Sequence, residues 1–234
     1  MTSSCPRRRR RLASRVGRVL FAALLLVACA GPAAPSPQAL LERAAQDALD
    51  LKTVRFSLLR EGAPVMLDPL TNTRFSEASG AYQAPDRVRA RVKAQVAAVV
   101  LGLEMIWLPD AVYASNPLTG AFAKLPARPA FDAASLFGRD GVPGLLKSGL
   151  RDVKLVGREN LYGVDAHHLR GSADGEALKA LTGGAVVAGA HTLDVWIEVA
   201  TSHILRLDAR EPDGISGWRL ELSEFNKTVE ITAP

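Results

Sequence analysis

Chemistry needs reactive side chains at usable positions, and this chain of 234 residues holds few: two cysteines, Cys5 and Cys29, and four histidines, His167, His168, His191 and His203. His167 and His168 are adjacent in a segment of strand character. On a strand they point to opposite faces and cannot jointly grip one metal. Asp165 and His167 would share a face and could form a hydrogen-bonded pair; a surface pair with no chemistry is the plainer alternative. A hydrolase would need a Ser or Asp clustered with His167 or His191. No Gly-x-Ser-x-Gly elbow, His-Glu-x-x-His or Gly-rich phosphate loop occurs. The residues therefore read as those of a protein that is not an enzyme, with no catalytic group and no metal site.

Cys29 stands in a different context. Arg7 to Arg11 are five consecutive arginines, joined by Arg15 and Arg18, and Val19 to Ala28 carries no charge. A positive segment, an apolar run and small residues before a cleavage point make a secretory signal of residues 1–28. The run is shorter than the roughly 20 apolar residues a spanning helix needs. Its ending, Leu26-Val27-Ala28-Cys29, resembles the bacterial lipobox. That resemblance implies thioether lipidation of Cys29, cleavage before it and acylation of the new N-terminus, palmitate being the expected chain. An ordinary signal with an incidental cysteine is the alternative. The arginine block suits a general secretory or a twin-arginine exporter alike. Seven of the 29 basic residues and none of the 24 acidic ones precede Cys29, so the remainder has a net charge of −2. The basic balance belongs to the signal and gives no argument for nucleic acid. Cys5 leaves with it, so the mature monomer has neither a disulfide nor a thiolate metal site.

The elements behind Cys29 must fold on a core alone. The 206 residues from Cys29 onward suit one domain. Residues 29–37 form the lipidated cysteine and a Pro-rich tether, and 38–234 the domain. Ser36-Pro37 reads as a helix start, and Leu40, Leu41, Ala44, Ala45, Ala48 and Leu51 recur at helical spacing. The period then becomes two. Val54, Phe56 and Leu58 alternate in one strand. In the next, Val88, Ala90 and Val92 face away from Arg87, Arg89, Arg91 and Lys93. That predicts an antiparallel sheet with one wet face. The basic stripe could meet headgroups or phosphates, or simply be solvated. Val96 to Leu108 is apolar on both faces. Residues 126–150 carry helical fragments, Glu176 to Leu181 a helix, and the chain ends in strands Thr192 to Val199, Ile204 to Arg210 and Arg219 to Ile231, the last bent near Phe225. Trp107, Trp196 and Trp218 read as core or rim aromatics.

The expected architecture is α+β: a strongly curved antiparallel sheet, a half-barrel, with helices covering its concave face. An apolar gap between such layers stays dry and accepts apolar guests. The candidates to line it are Val96, Val99, Val100, Leu101, Leu103, Met105, Phe137, Leu145, Leu146, Val186 and Val187, with plain core as the alternative for all of them.

Stretches through most of the mature chain are similar to the LppX/LprG-type bacterial lipoproteins, relatives of the LolA-like half-barrel proteins. They are Leu40-Leu-Glu-Arg-Ala-Ala45 followed by Leu51-Lys-Thr-Val-Arg-Phe56, Ala81-Tyr-Gln-Ala-Pro-Asp-Arg-Val88, Asn116-Pro-Leu-Thr-Gly120, Phe131-Asp-Ala-Ala-Ser-Leu136, Asp152-Val-Lys-Leu-Val156 and Val195-Trp-Ile-Glu198. The resemblance implies a hydrophobic cavity for lipid or acylated glycolipid and work in lipid transport or assembly of the cell envelope. It implies no cofactor, a monomer held at the extracytoplasmic face of the cell membrane by N-terminal acyl chains, and an envelope transporter as partner. An envelope interaction or sensor module of the same fold is the alternative. Individual binding residues do not transfer.

Overall fold

The computed structural model describes residues 35–68, 72–126, 132–182 and 186–234. The expected signal, Cys29 and tether residues 30–34 lie outside the described residues, as do Phe131 and 183–185. Ser36–Pro234 forms one compact unit.

Helix α1 (Pro37–Asp50) starts where the sequence predicts. The Ser36 hydroxyl accepts from the Ala39 amide at 3.2 Å and Pro37 occupies the first turn. Leu40, Leu41, Ala44, Ala45 and Ala48 are buried along one stripe, while Glu42, Arg43 and Gln46 are exposed.

Twelve strands follow in one antiparallel sheet: β1 (Thr53–Glu61), β2 (Val65–Asp68), β3 (Thr73–Gln83), β4 (Arg87–Val96), β5 (Val99–Trp107), β6 (Val112–Ser115), β7 (Phe122–Lys124), β8 (Arg151–Leu161), β9 (Val164–Asp174), β10 (Ala190–Glu198), β11 (Ile204–Arg210) and β12 (Gly217–Ser223). The spatial order is β7-β6-β5-β4-β3-β1-β12-β11-β10-β9-β8, with β2 on β3. Among the described residues β7 and β8 do not pair, so the sheet is a curved half-barrel and not a closed one. Gly80 permits one tight point of it: a Cβ there would sit 2.1 Å from the Arg89 carbonyl oxygen of β4.

The helical pieces are a 3-10 turn (Ala133–Phe137) capped by Asp132, α2 (Val142–Gly144) running into a π turn (Leu145–Gly149), and α3 (Gly175–Thr182). They join α1 in one core with the inner face of the sheet. Phe137 is the keystone, stacked on Tyr82 at 4.4 Å between centroids and tilted against Phe56 at 5.6 Å. The opposite face is wet, as the alternation of β4 predicts. Arg89 pairs with Glu104 and Lys93 with Glu77, both at 2.6 Å.

The last element differs from expectation. The strand predicted over Arg219 to Ile231 ends at Ser223, because Glu224 and Asn226 take left-handed backbone (φ 50° and 56°) that no ladder continues through. The tail then crosses the outer face. The Ile231 amide donates to Gln83 Oε1 at 2.9 Å, and Arg87 donates to the Ile231 carbonyl at 3.0 Å. Ile231 is buried there with Ala81, Ile106 and Leu108 in a second, smaller core.

Candidate functional site: the inner face of the sheet

Strand register decides which side chains share the inner face. Going outward from the helices, β4 and β5 contribute the pairs Val88–Trp107, Ala90–Met105, Val92–Leu103, Ala94–Leu101 and Val96–Val99. Their neighbours on β3 and β1 are Tyr82 and Val54, then Gly80 and Phe56, then Ala78 and Leu58. Gly80 and Ala90 therefore lie between Phe56 and Met105 on one rung, Ala78 and Val92 between Leu58 and Leu103 on the next, and Ala94 between Phe75 and Leu101 on the third. A row of small side chains flanked by large ones is a trough with apolar walls. Exposure rises along it, from Trp107 at 4% through half-buried Met105, Leu103 and Leu101 to Val99 at 57%. This apolar face runs from the main core to the β4–β5 turn, its floor of Ala78, Ala90, Val92 and Ala94 buried between the larger side chains. Such a surface can accept methylene chains, each buried CH2 contributing about 0.8 kcal/mol.

The structure sorts the predicted lining residues into groups. Phe137, Leu145, Leu146 and Val186 are buried in the main core, and Met105 packs against it. Leu101 and Leu103 lie half-buried farther along the inner face, and Val96 reaches its end beside Val99. Val100 does not belong with them. The tight turn at Ala97-Ala98 makes Val99 the partner of Val96, so alternation turns Val100 to the outer face, where it is 61% exposed. Val187, next to buried Val186, is half exposed. A bulky residue at Val99 or Val187 would therefore point into open space and plug nothing.

Two arrangements had no sequence signal. One is a polar cluster on the inner face at the far end of β1, β10 and β11. Arg60 meets Glu211 in a two-pronged pair with both side chains at most 4% exposed. The Arg60 guanidinium lies over the Trp218 ring at 5.2 Å. Ser216 and His191 are buried, and the Trp218 and His191 Nε atoms have no hydrogen-bond partner. The other is a groove of about 590 Å3 lined by Leu161, Tyr162, Val164, Leu205, Phe225 and the acidic Glu198, Glu221 and Glu224, among others. Tyr162 closes one side by donating to Glu221 at 2.6 Å. Both assemble residues more than 50 positions apart, so no local spacing could show them.

The histidines do not assemble a reactive centre. His168 faces outward and is stacked on Trp196 at 4.4 Å, its ring nitrogens 2.7 Å from Glu159 and 2.6 Å from Asp194. Hydrogen bonds from Trp196 and His168 hold the Glu159 carboxyl below its ordinary range. His167 faces inward. Burial, then Arg158 and Arg43, push its pKa down. The pair with Asp165 does not form: Asp165 accepts from Asn160 at 3.3 Å, and His167 Nδ1 has no partner. His203 bonds Asp47 at 2.6 Å and stacks on Phe225. Among the described residues no group of three or more His, Cys, Asp or Glu could hold a metal, and no helix is long and apolar enough to cross a membrane.

Comparison with known proteins follows this geometry. A family model described as LppX_LprAFG lipoprotein matches residues 36–231. Among solved structures the chain is similar to LprF from Mycobacterium bovis, with 15% identity and a TM-score of 0.69 over 86% of this chain and 98% of that one. It is also similar to LppX from Mycobacterium tuberculosis, with 19% identity and a TM-score of 0.60 over 84% of this chain and 98% of that one. No curated protein matches by sequence. At such identities the two structures speak for the half-barrel alone, whereas the family match spans the whole compact unit: the chain belongs to the LppX/LprAFG lipoprotein family.

Proposed function

We propose that this protein is a lipid carrier: an extracytoplasmic lipoprotein, anchored through acyl chains on Cys29, that takes a lipid or acylated glycolipid along the inner face of its half-barrel and carries it for envelope transport or assembly, without catalysis. The observation that carries the reading is the apolar trough between Phe56–Leu58 and Met105–Leu101, which is continuous with the core at one end and open at the other. An acyl chain laid there would replace water on Leu103 and Leu101 with hydrocarbon. A transporter partner and a monomeric state fit this reading.

The test is lipid mass spectrometry on residues 36–234 purified after export from a bacterium. A stoichiometric diacyl or triacyl species is expected, reduced at least tenfold by the pair Leu101→Asp and Leu103→Asp. These positions are half-buried, so the fold should survive. A second reading has its own support: Phe137, Leu145, Leu146 and Val186 are packed core, which suits an interaction or sensor module whose gap is already filled. Lipid-free protein that also takes up no added glycolipid would end the carrier reading and move the search to protein partners.

A further inference from the structure

The β4–β5 hairpin ends in a feature that a soluble surface has no use for. From Ala94 to Leu103 ten consecutive residues carry no charge. Ala97 and Ala98 at the turn are exposed, and behind them Val99 and Val100 are 57% and 61% exposed. Register places Val99 on the inner face and Val100 on the outer face. The tip is therefore apolar on both sides. A protein partner would need one complementary face, whereas a medium that surrounds the tip satisfies both.

More of the exposed apolar surface gathers at the same end of the sheet. Register brings the starts of β3, β5, β10 and β12 and the ends of β1, β4, β9 and β11 together there. Met66 on β2, Ile215 in the β11–β12 turn and Val187 before β10 are all exposed at this end. Cationic groups stand behind the tip. Arg74 is on the same rung as Val100, between Gln95 and Met66. Its Nε donates to the neutral Asn72 side chain, at 3.4 Å. Lys93 and Arg91 stand two and four residues before Gln95 along the outer face of β4, exposed, with Lys93 paired to Glu77. An apolar tip with cations set back from it matches the order of a bilayer surface, in which anionic headgroups lie outside the acyl region. The β4–β5 ladder is paired up to Val96 and Val99, while β6 pairs β5 only from Met105 to Trp107, so the free edge of the tip suits the hydrated headgroup layer and not the hydrocarbon core.

We propose that the β4–β5 tip, Val96 to Val100, inserts into the headgroup layer of an anionic lipid bilayer and sets the open end of the trough against it. This goes beyond the carrier reading: the tip docks whether or not the trough holds cargo. In the carrier it gives lipid a route from membrane to trough without crossing water, along Val99, Leu101 and Leu103.

The compact unit 36–234 contains the whole buried core and matches the family over its length, and it has no cysteine. Single cysteines at Val99→Cys and Leu118→Cys, the latter in the exposed β6–β7 turn, can each carry an environment-sensitive fluorophore. With vesicles of phosphatidylglycerol and phosphatidylcholine, the label at 99 should shift to the blue while that at 118 stays water-like. In flotation the unlabelled unit should bind, and Val99→Asp with Val100→Asp should lower the bound fraction at least tenfold, with Leu118→Asp neutral. Vesicles of phosphatidylcholine alone should bind more weakly. A wild-type unit that fails to float, an unshifted label at 99, or binding that survives the two aspartates overturns the proposal. Lipid mass spectrometry on the aspartate pair separates the two ideas. Purified cargo retained while flotation is lost leaves both standing, and cargo absent from a unit that still floats removes the carrier reading alone.

Discussion

At the scale of single residues, the inner face mixes a long apolar surface with one buried ion pair. Arg60 and Glu211 are almost wholly shielded and two-pronged, a geometry in which guanidinium and carboxylate satisfy each other. Removing one partner leaves a buried, uncompensated charge. Glu211→Gln is therefore expected to cost about 3–5 kcal/mol of unfolding free energy, whereas Arg60→Met with Glu211→Leu should cost much less, because both charges leave together. Urea unfolding of the three proteins measures this. Equal losses in the single and double variants would show that the pair is ordinary packing. None of these side chains announces itself in sequence. Arg60 follows Leu58 and Leu59 in a strand whose alternation predicts only an inward position, and what meets it there lies 151 residues away.

At the scale of elements, periodicity reads well wherever one face is buried. The stripe of α1 and the alternation of β4 are both legible, since helical and strand periods sort apolar side chains to one side. Turns and ends read less well. The tail past Ser223 has the composition of a strand, yet left-handed Glu224 and Asn226 redirect it. The β4–β5 hairpin is similar: Val96 to Leu108 looks like one apolar run, and only the turn at Ala97 assigns Val99 inward and Val100 outward. Ala97 sits at φ 53°, a conformation that costs an L-residue about 1 kcal/mol or more and glycine little. Ala97→Gly should therefore raise unfolding free energy by up to about 1 kcal/mol by chemical denaturation. A loss of stability would mean that the turn carries no strain.

At the scale of the whole molecule, the proposed anchor on Cys29 would hold the open half-barrel near a bilayer. Eight residues separate Cys29 from Gln38, a reach of about 30 Å when extended. Cys29→Ala should move the full-length protein from the membrane to the aqueous fraction on detergent phase separation and abolish palmitate labelling, with thermal stability unchanged. Membrane retention by the alanine variant would refute lipid anchoring. The order of the amino acids carries the expectation of a signal and a lipidated Cys29, the α+β class and the inward positions of β1 and β4. All of these are local patterns, in which each residue reports on neighbours a few positions away. The strand order, the small residues between Phe56 and Met105, the Arg60–Glu211 pair and the separation of packed Phe137, Leu145 and Leu146 from exposed Val99 emerge from the folded chain. Those depend on pairing between distant strands and on sheet curvature, and a residue's own spacing holds no record of the partner that long-range register will set beside it.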